Sequence, residues 1–155
     1  MDDASWMRLA IDEAAKAPAH GDVPVGAIAV YRGEIIGRGH NRREIDRDPT
    51  AHAEVIAIRE AARHLNHWRL DDVTLYCTLE PCAMCAGAMV LARLPRLVCA
   101  TIDVKAGAAG SLMDIVRHDR LNHRVQVDYG TLADEAAQQL RQFFVGLRER
   151  SSKNP

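Results

Sequence analysis

Apolar residues recur at helical spacing over residues 4–17, where Met7, Ala10, Ile11 and Ala14 form one stripe and Pro18 ends the run. The period then changes. Residues 25–31 are small apolar or β-branched, Arg32-Gly33 interrupts them, and residues 34–39 resume, a pattern that predicts a β-hairpin. A second helix is expected from Thr50, a good N-cap residue, with Val55, Ile58, Ala62 and Leu65 at helical spacing. Residues 74–78 read as a short buried strand, and Pro81 is expected in the first turn of a helix reaching Leu91. Residues 96–100 and 124–128 add two strands, with a glycine-rich loop over 105–111 between them. A last helix spans about 134–148, and residues 151–155 read as a disordered tail. The order αββαβαβ…βα predicts one α/β domain over residues 1–150, with helices covering a five-stranded sheet.

Composition narrows the class without naming a function. A chain of 155 residues with 48% apolar and 26% charged positions is an ordinary folded domain. A net charge of −1 gives no global polybasic signal, so any nucleic-acid binding must come from a local patch. The stretch 141–155 supplies one candidate, with Arg141, Arg148, Arg150 and Lys153 against Glu149 alone. Four cysteines, two of them in a C-x-x-C, suit a reducing compartment better than a disulfide framework. The acidic residues 1–5 lack the character of a signal peptide, and no apolar run has the length of a membrane span. A cytoplasmic protein with no membrane partner is expected.

Two short motifs carry the chemistry: His52-Ala53-Glu54, and Pro81-Cys82-Ala83-Met84-Cys85. One imidazole and two thiolates make three good zinc ligands, and a catalytic zinc keeps its fourth position for water. Cys82 and Cys85 are three apart on the predicted helix, so their sulfurs share a face. A helix N-terminus there favours thiolate over thiol. Residues 52 and 54 lie about 200° apart on an ideal helix, so they share a site only if it sits end-on to that helix. Zinc would lower the pKa of its water toward ~7. Glu54 could then move protons from that water to a substrate nitrogen and a leaving amine. The implied reaction is hydrolytic deamination of an amidine-like carbon in a heteroaromatic ring. A C-x-x-C can also be half of a zinc ribbon, a redox pair or two buried cysteines. A ribbon would need a second ligand pair at short spacing, and a redox motif would normally follow the first strand of a βαβ unit.

The H-x-E…P-C-x-x-C arrangement is the known signature of zinc base deaminases. With the longer segments 48–54, 78–89, 107–114 and 121–125, the chain resembles bacterial tRNA adenosine deaminases of the cytidine deaminase-like superfamily, from about residue 5 to residue 148. The resemblance implies a three-layer α/β/α domain with a mixed five-stranded sheet, and one Zn2+ per subunit on His52, Cys82 and Cys85. It implies Glu54 as the proton shuttle, the wobble adenosine of a tRNA anticodon loop as substrate, inosine as product, and a homodimer. By the same likeness Asn41 hydrogen-bonds the flipped base, while Val25 and the backbone at Ala53 line its pocket. Asp103 and Lys105 would meet neighbouring nucleotides, and Phe144 and Arg148 would stack on or clamp the loop. Ile102 stands where many relatives carry Arg. Cys77 and Cys99, and likewise Trp6 and Trp68, are expected to be packing residues. Two other readings share the motif: a deaminase of a free base or nucleotide such as guanine or deoxycytidylate, and a non-catalytic RNA-binding zinc protein.

Overall fold

The computed structural model describes residues 1–153. Helix α1 (Asp3–Ala14) begins where the Asp2 carboxylate accepts the Ser5 N–H, and it buries the predicted stripe Met7, Ala10, Ile11 and Ala14. Strands β1 (Gly26–Tyr31) and β2 (Glu34–His40) form the expected antiparallel hairpin. Its turn places Arg32 and Gly33 at φ 50° and 78°, the left-handed pair that a tight hairpin requires. Helix α2 (Ala53–Leu65), strand β3 (Val73–Leu79), helix α3 (Ala83–Leu91), strand β4 (Arg96–Thr101), strand β5 (Gln126–Tyr129) and helix α4 (Ala133–Lys153) follow.

The sheet runs β2-β1-β3-β4-β5. β1 is antiparallel to both of its neighbours, whereas β3, β4 and β5 run parallel, so the sheet is mixed, as expected. Two separate apolar clusters cover its faces. One joins α2 and α3 to Ala27, Ala29, Leu75, Cys77, Leu97 and Cys99. The other joins Trp6, Met7 and Ile11 of α1 and Ala136 of α4 to Ile28, Tyr76 and Val98. Alternate strand residues feed the two clusters, as a pleated sheet between helices demands. The result is the three-layer α/β/α arrangement.

Four local expectations are corrected. The N-cap of α2 is His52, not Thr50, because the Thr50 hydroxyl and N–H are taken by Asp48 Oδ1 at 2.7 and 2.8 Å. Pro81 precedes the helix instead of opening it, and Cys82 is the N-cap of α3. Helix α4 continues to Lys153, so residues 151–153 of the expected tail are helical, while 154 and 155 lie outside the described residues. Trp6 packs in the core, but Trp68 is 58% exposed, its ring flanked by the guanidinium groups of Arg69 and Arg93 at 5.6 and 5.8 Å. Those side chains satisfy its faces without burying it. Cys77 and Cys99 are buried partners across β3 and β4, as expected, and burial pushes both thiols up.

Candidate metal centre

Helices α2 and α3 both point their N-termini at one spot beyond the ends of β1, β2 and β3. His52 and Cys82 hold the two N-cap positions, each with an extended backbone (φ −85°, ψ 148° and φ −73°, ψ 177°). Neither side chain makes a capping hydrogen bond, and the two meet across the gap. The extended backbone at His52 also removes the divergence calculated for residues 52 and 54. His52 stands outside the helix and Glu54 inside its first turn, so both reach the same end-on site.

Close packing fixes α2 against β2. A Cβ at Gly39 would collide with the Ala53 carbonyl oxygen, and one at Gly37 with that of Ala57. The helix presents Ala53, Ala57 and Ala61 to the strand, all fully buried. Of the stripe expected from the sequence, Ile58 is buried with them, whereas Val55, Ala62 and Leu65 lie at the margin of the cluster. Ahead of the helix, the Asp22 carboxylate accepts the N–H groups of Glu44 and Ile45 at 2.8 and 3.3 Å and holds the loop that delivers His52.

The candidate ligand atoms of His52, Cys82 and Cys85 lie within 4.8 Å of one another. Both sulfurs are 3.6 Å from His52 Nδ1. A tetrahedral zinc with ordinary bonds, about 2.3 Å to sulfur and about 2.05 Å to nitrogen, separates those atoms by about 3.6 Å. The donor set and its spacing therefore fit zinc. Hydrogen bonds from Cys85 and His52 draw the Cys82 thiol down to about 3, while the bond to Cys82, burial and the nearby Glu54 carboxylate push Cys85 far up. A cation between the sulfurs would favour the thiolate at both. His52 is raised, first by its contact with Cys82.

Glu54 is 4% exposed, with Oε2 3.1 Å from Cys85 Sγ. Burial raises its carboxyl above the usual range, against the lowering effect of the Cys85 contact. His52, Glu54 and Cys82 line a cavity of about 210 Å3, together with Val25, Asn41 and Asp103 of the sequence-derived set. Asn41 follows β2 directly, and its Oδ1 accepts the Ala53 N–H at 3.1 Å. Ala53 is fully buried behind that bond and does not line the cavity. Lys105 is exposed beside it, and Phe144 and Arg148 sit exposed on the C-terminal half of α4, away from the cavity wall. Of the two phenylalanines Phe143 is the buried one. Ile102 is exposed next to Asp103.

The cavity also uses residues that sequence reasoning passed over: Val23, Arg43, Leu79, Glu80 and Ala106. Glu80 had a signal, since it directly precedes the Pro81-Cys82 motif. Arg43 had only its place between Asn41 and His52. A larger groove of about 570 Å3 between α4 and the segment that follows α1, lined by Phe143, Gln139 and Pro18, holds none of the candidate metal ligands.

An imidazole and two cysteines beside a buried glutamate, at paired helix N-termini on an α/β/α scaffold, are the donor set and acid/base group that a metal-dependent base deaminase requires. The MafB19-like deaminase family model matches residues 1–148, and the chain belongs to this deaminase family. It is 47% identical over 148 residues to the tRNA-specific adenosine deaminase of Bacillus subtilis (strain 168), covering 96% of this chain and 92% of that protein. Its fold matches a solved tRNA:A34 deaminase of A-to-I editing at the wobble position of transfer RNA with a TM-score of 0.84. That match has 40% identity and covers 88% of this chain and 99% of the other. The guanine deaminase of Bacillus subtilis is similar at 39% identity with a TM-score of 0.64, covering 72% and 71%.

Proposed function

We propose that this protein deaminates adenosine to inosine at the wobble position of a tRNA anticodon, with one Zn2+ per chain held by His52, Cys82 and Cys85. The observation that carries this reading is the buried Glu54 beside that triad, in a chain 47% identical to a tRNA-specific adenosine deaminase. The tRNA:A34 deaminase also superposes better, with a TM-score of 0.84 against 0.64 and 0.78 for the guanine deaminases of Bacillus subtilis and Nitrosomonas europaea.

When bound, zinc supplies a Lewis acid that makes a hydroxide nucleophile available near neutral pH. The cavity admits a single base but no duplex, so the target nucleotide must leave its stack to enter. Asn41 has its carbonyl oxygen committed to Ala53, which leaves its NH2 to donate to a ring nitrogen. Val25 offers an apolar flank. Glu54 takes a proton from the attacking water and passes it to N1 of the adenine. The water oxygen adds to C6, the proton of the new C6 hydroxyl moves by the same carboxylate to the 6-amino group, and the C6–N bond breaks to release ammonia and leave the C6 carbonyl of inosine. The raised carboxyl of Glu54 suits a group that must both accept and return protons near neutrality. Asp103 and Lys105 meet nucleotides beside the target, and Phe144 and Arg148 on α4 contact the loop by stacking and charge.

No helix among the described residues is long and apolar enough to cross a membrane, and the activity would be exercised in the cytoplasm, where tRNA resides. The exposed apolar residues Met84 and Leu91, seven apart on α3, support a homodimer through this helix, checked by the solution mass.

The decisive experiment incubates the zinc-loaded protein with an anticodon stem-loop carrying adenosine at the wobble position, and separately with guanine and deoxycytidylate. Inosine in the RNA is expected, and Glu54→Ala is expected to keep its zinc while losing about 10²–10⁴-fold in rate. Ammonia from guanine or deoxycytidylate without inosine in the RNA would replace this reading with a free-base or nucleotide deaminase. RNA binding without turnover would make it a non-catalytic zinc protein.

A further inference from the structure

Glu80 sits between β3 and α3, two residues before the ligand Cys82, and is only 2% exposed. Among the described residues no cation pairs with it. A buried carboxylate without an ionic partner is costly unless its lone pairs are filled, and here four donors fill them. Oε1 accepts the Asp103 N–H at 3.1 Å and the Ser111 hydroxyl at 2.5 Å. Oε2 accepts the N–H groups of Ala109 and Ser111 at 3.0 and 3.1 Å. All four donors come from the loop 103–111.

That loop is shaped around the carboxylate. A Cβ at Gly107 would run into the Glu80 carboxyl group, so this position has room only for glycine. The neighbouring Pro81 carbonyl accepts the Ala108 N–H at 2.8 Å, and the Glu80 N–H donates to Thr101 at 2.9 Å. The Asp103 carboxylate in turn accepts the N–H groups of Lys105 and Ala106 at 3.1 Å each. One continuous set of bonds therefore runs from the segment before Cys82, through Glu80 and Asp103, to Ala106. Asp103 and Ala106 stand in the cavity wall with His52 and Asn41.

We propose that Glu80 is a positioning residue for substrate: its carboxylate fixes the wall formed by 103–106 relative to the metal-ligand segment, and so governs acceptance of the nucleotide beside the target base. With every acceptor site turned to the loop, Glu80 moves no proton in the reaction. Its loss therefore weakens substrate capture and leaves the chemical step in place. The inference rests on the RNA-deaminase reading for its substrate, but the loop anchoring can be read without turnover.

The test compares wild type, Glu80→Gln, Ser111→Ala and the double variant, all zinc-loaded. Kinetics use the wobble-adenosine stem-loop and the same RNA with an abasic site next to the target. Glu80→Gln is expected to retain one zinc per chain, to leave kcat nearly unchanged and to raise KM about tenfold, the worth of one charge-assisted hydrogen bond. The preference for the intact neighbour should shrink. Ser111→Ala should raise KM less, and the double variant should be no worse than Glu80→Gln, because the Ser111 hydroxyl bond is one of the four that Glu80→Gln already disturbs. Amide hydrogen exchange should quicken at Asp103, Ala109 and Ser111 in Glu80→Gln and stay unchanged within α3. A fall in kcat at constant KM, loss of zinc, or unaltered exchange in the loop would overturn the proposal. An inactive wild type would sink the RNA-deaminase reading instead, and the exchange data would still decide whether Glu80 anchors the wall.

Discussion

Helices α2 and α1 meet the two faces of the sheet through different materials. Helix α2 meets β2 through alanine and glycine, with Ala53, Ala57 and Ala61 laid directly on Gly37 and Gly39, while Leu75, Met89 and Leu97 fill the rest of that face. On the α1 and α4 side, apart from a close approach of Gly26 to Ala10, large side chains fill the space: Trp6, Met7, Ile11, Ile28 and Tyr76. All three candidate metal ligands belong to the first face. Small residues let two backbones set their own separation, with no flexible side chain to absorb error. Large ones bury more apolar area and stabilise the fold without fixing any reacting atom. The difference teaches that position and stability are supplied separately here.

The strongest way to break that comparison is Trp6→Ala. Trp6 packs on Tyr76 with ring centroids 6.5 Å apart. Its truncation is expected to cost roughly 3–5 kcal/mol of stability, measured by urea unfolding. Inosine formation per folded molecule should not change. If turnover fell with stability, the α1 face would be positioning the site after all.

The same contrast explains what could be read from the sequence. The cluster was legible because H-x-E and P-C-x-x-C are short and local, and the hairpin because Arg32-Gly33 interrupts two apolar runs. Thr50 misled because an N-cap preference says nothing about Asp48 competing for the same hydroxyl. The end of α4 was missed because residues 149–153 carry no apolar period, only charged and polar side chains. Glu80 stayed hidden because its partners lie 23 to 31 residues away, a distance no local pattern spans. Trp68 was misplaced because composition cannot distinguish a buried indole from one held between two surface arginines.

A smaller effect on stability but a larger one on activity is expected from Gly39→Ala. The added methyl meets the Ala53 carbonyl, one residue from His52. Overpacking of this kind costs about 1–3 kcal/mol. A shift of the N-terminus of α2 by under an ångström should lower kcat up to about 10²-fold. Paired with Trp6→Ala, it gives opposite rankings by urea midpoint and by turnover. Equal rankings in both assays would erase the distinction between the faces.

The smallest effect concerns the polar tie from α1 to the end of β2. Burial pushes the Glu13 carboxyl up, but hydrogen bonds from Lys16 Nζ at 2.8 Å and His40 Nδ1 at 3.0 Å outweigh it and hold the group below its ordinary 4.5. A carboxyl held low in the folded state adds stability above its unfolded value, and that stability is lost as pH falls through the folded one. Glu13→Gln is therefore expected to cost about 1 kcal/mol near neutral pH, at or below the low end for hydrogen bonds to a charged group. The gap to wild type should close below pH 4.5 as the native carboxyl takes up its proton. Urea unfolding of both proteins across that range measures it, and a gap that widened in acid would reverse the assignment. Because His40 immediately precedes Asn41, this variant also asks whether the tie reaches the cavity. Unchanged KM at neutral pH is expected, since Asn41 is held from the α2 side by the Ala53 N–H.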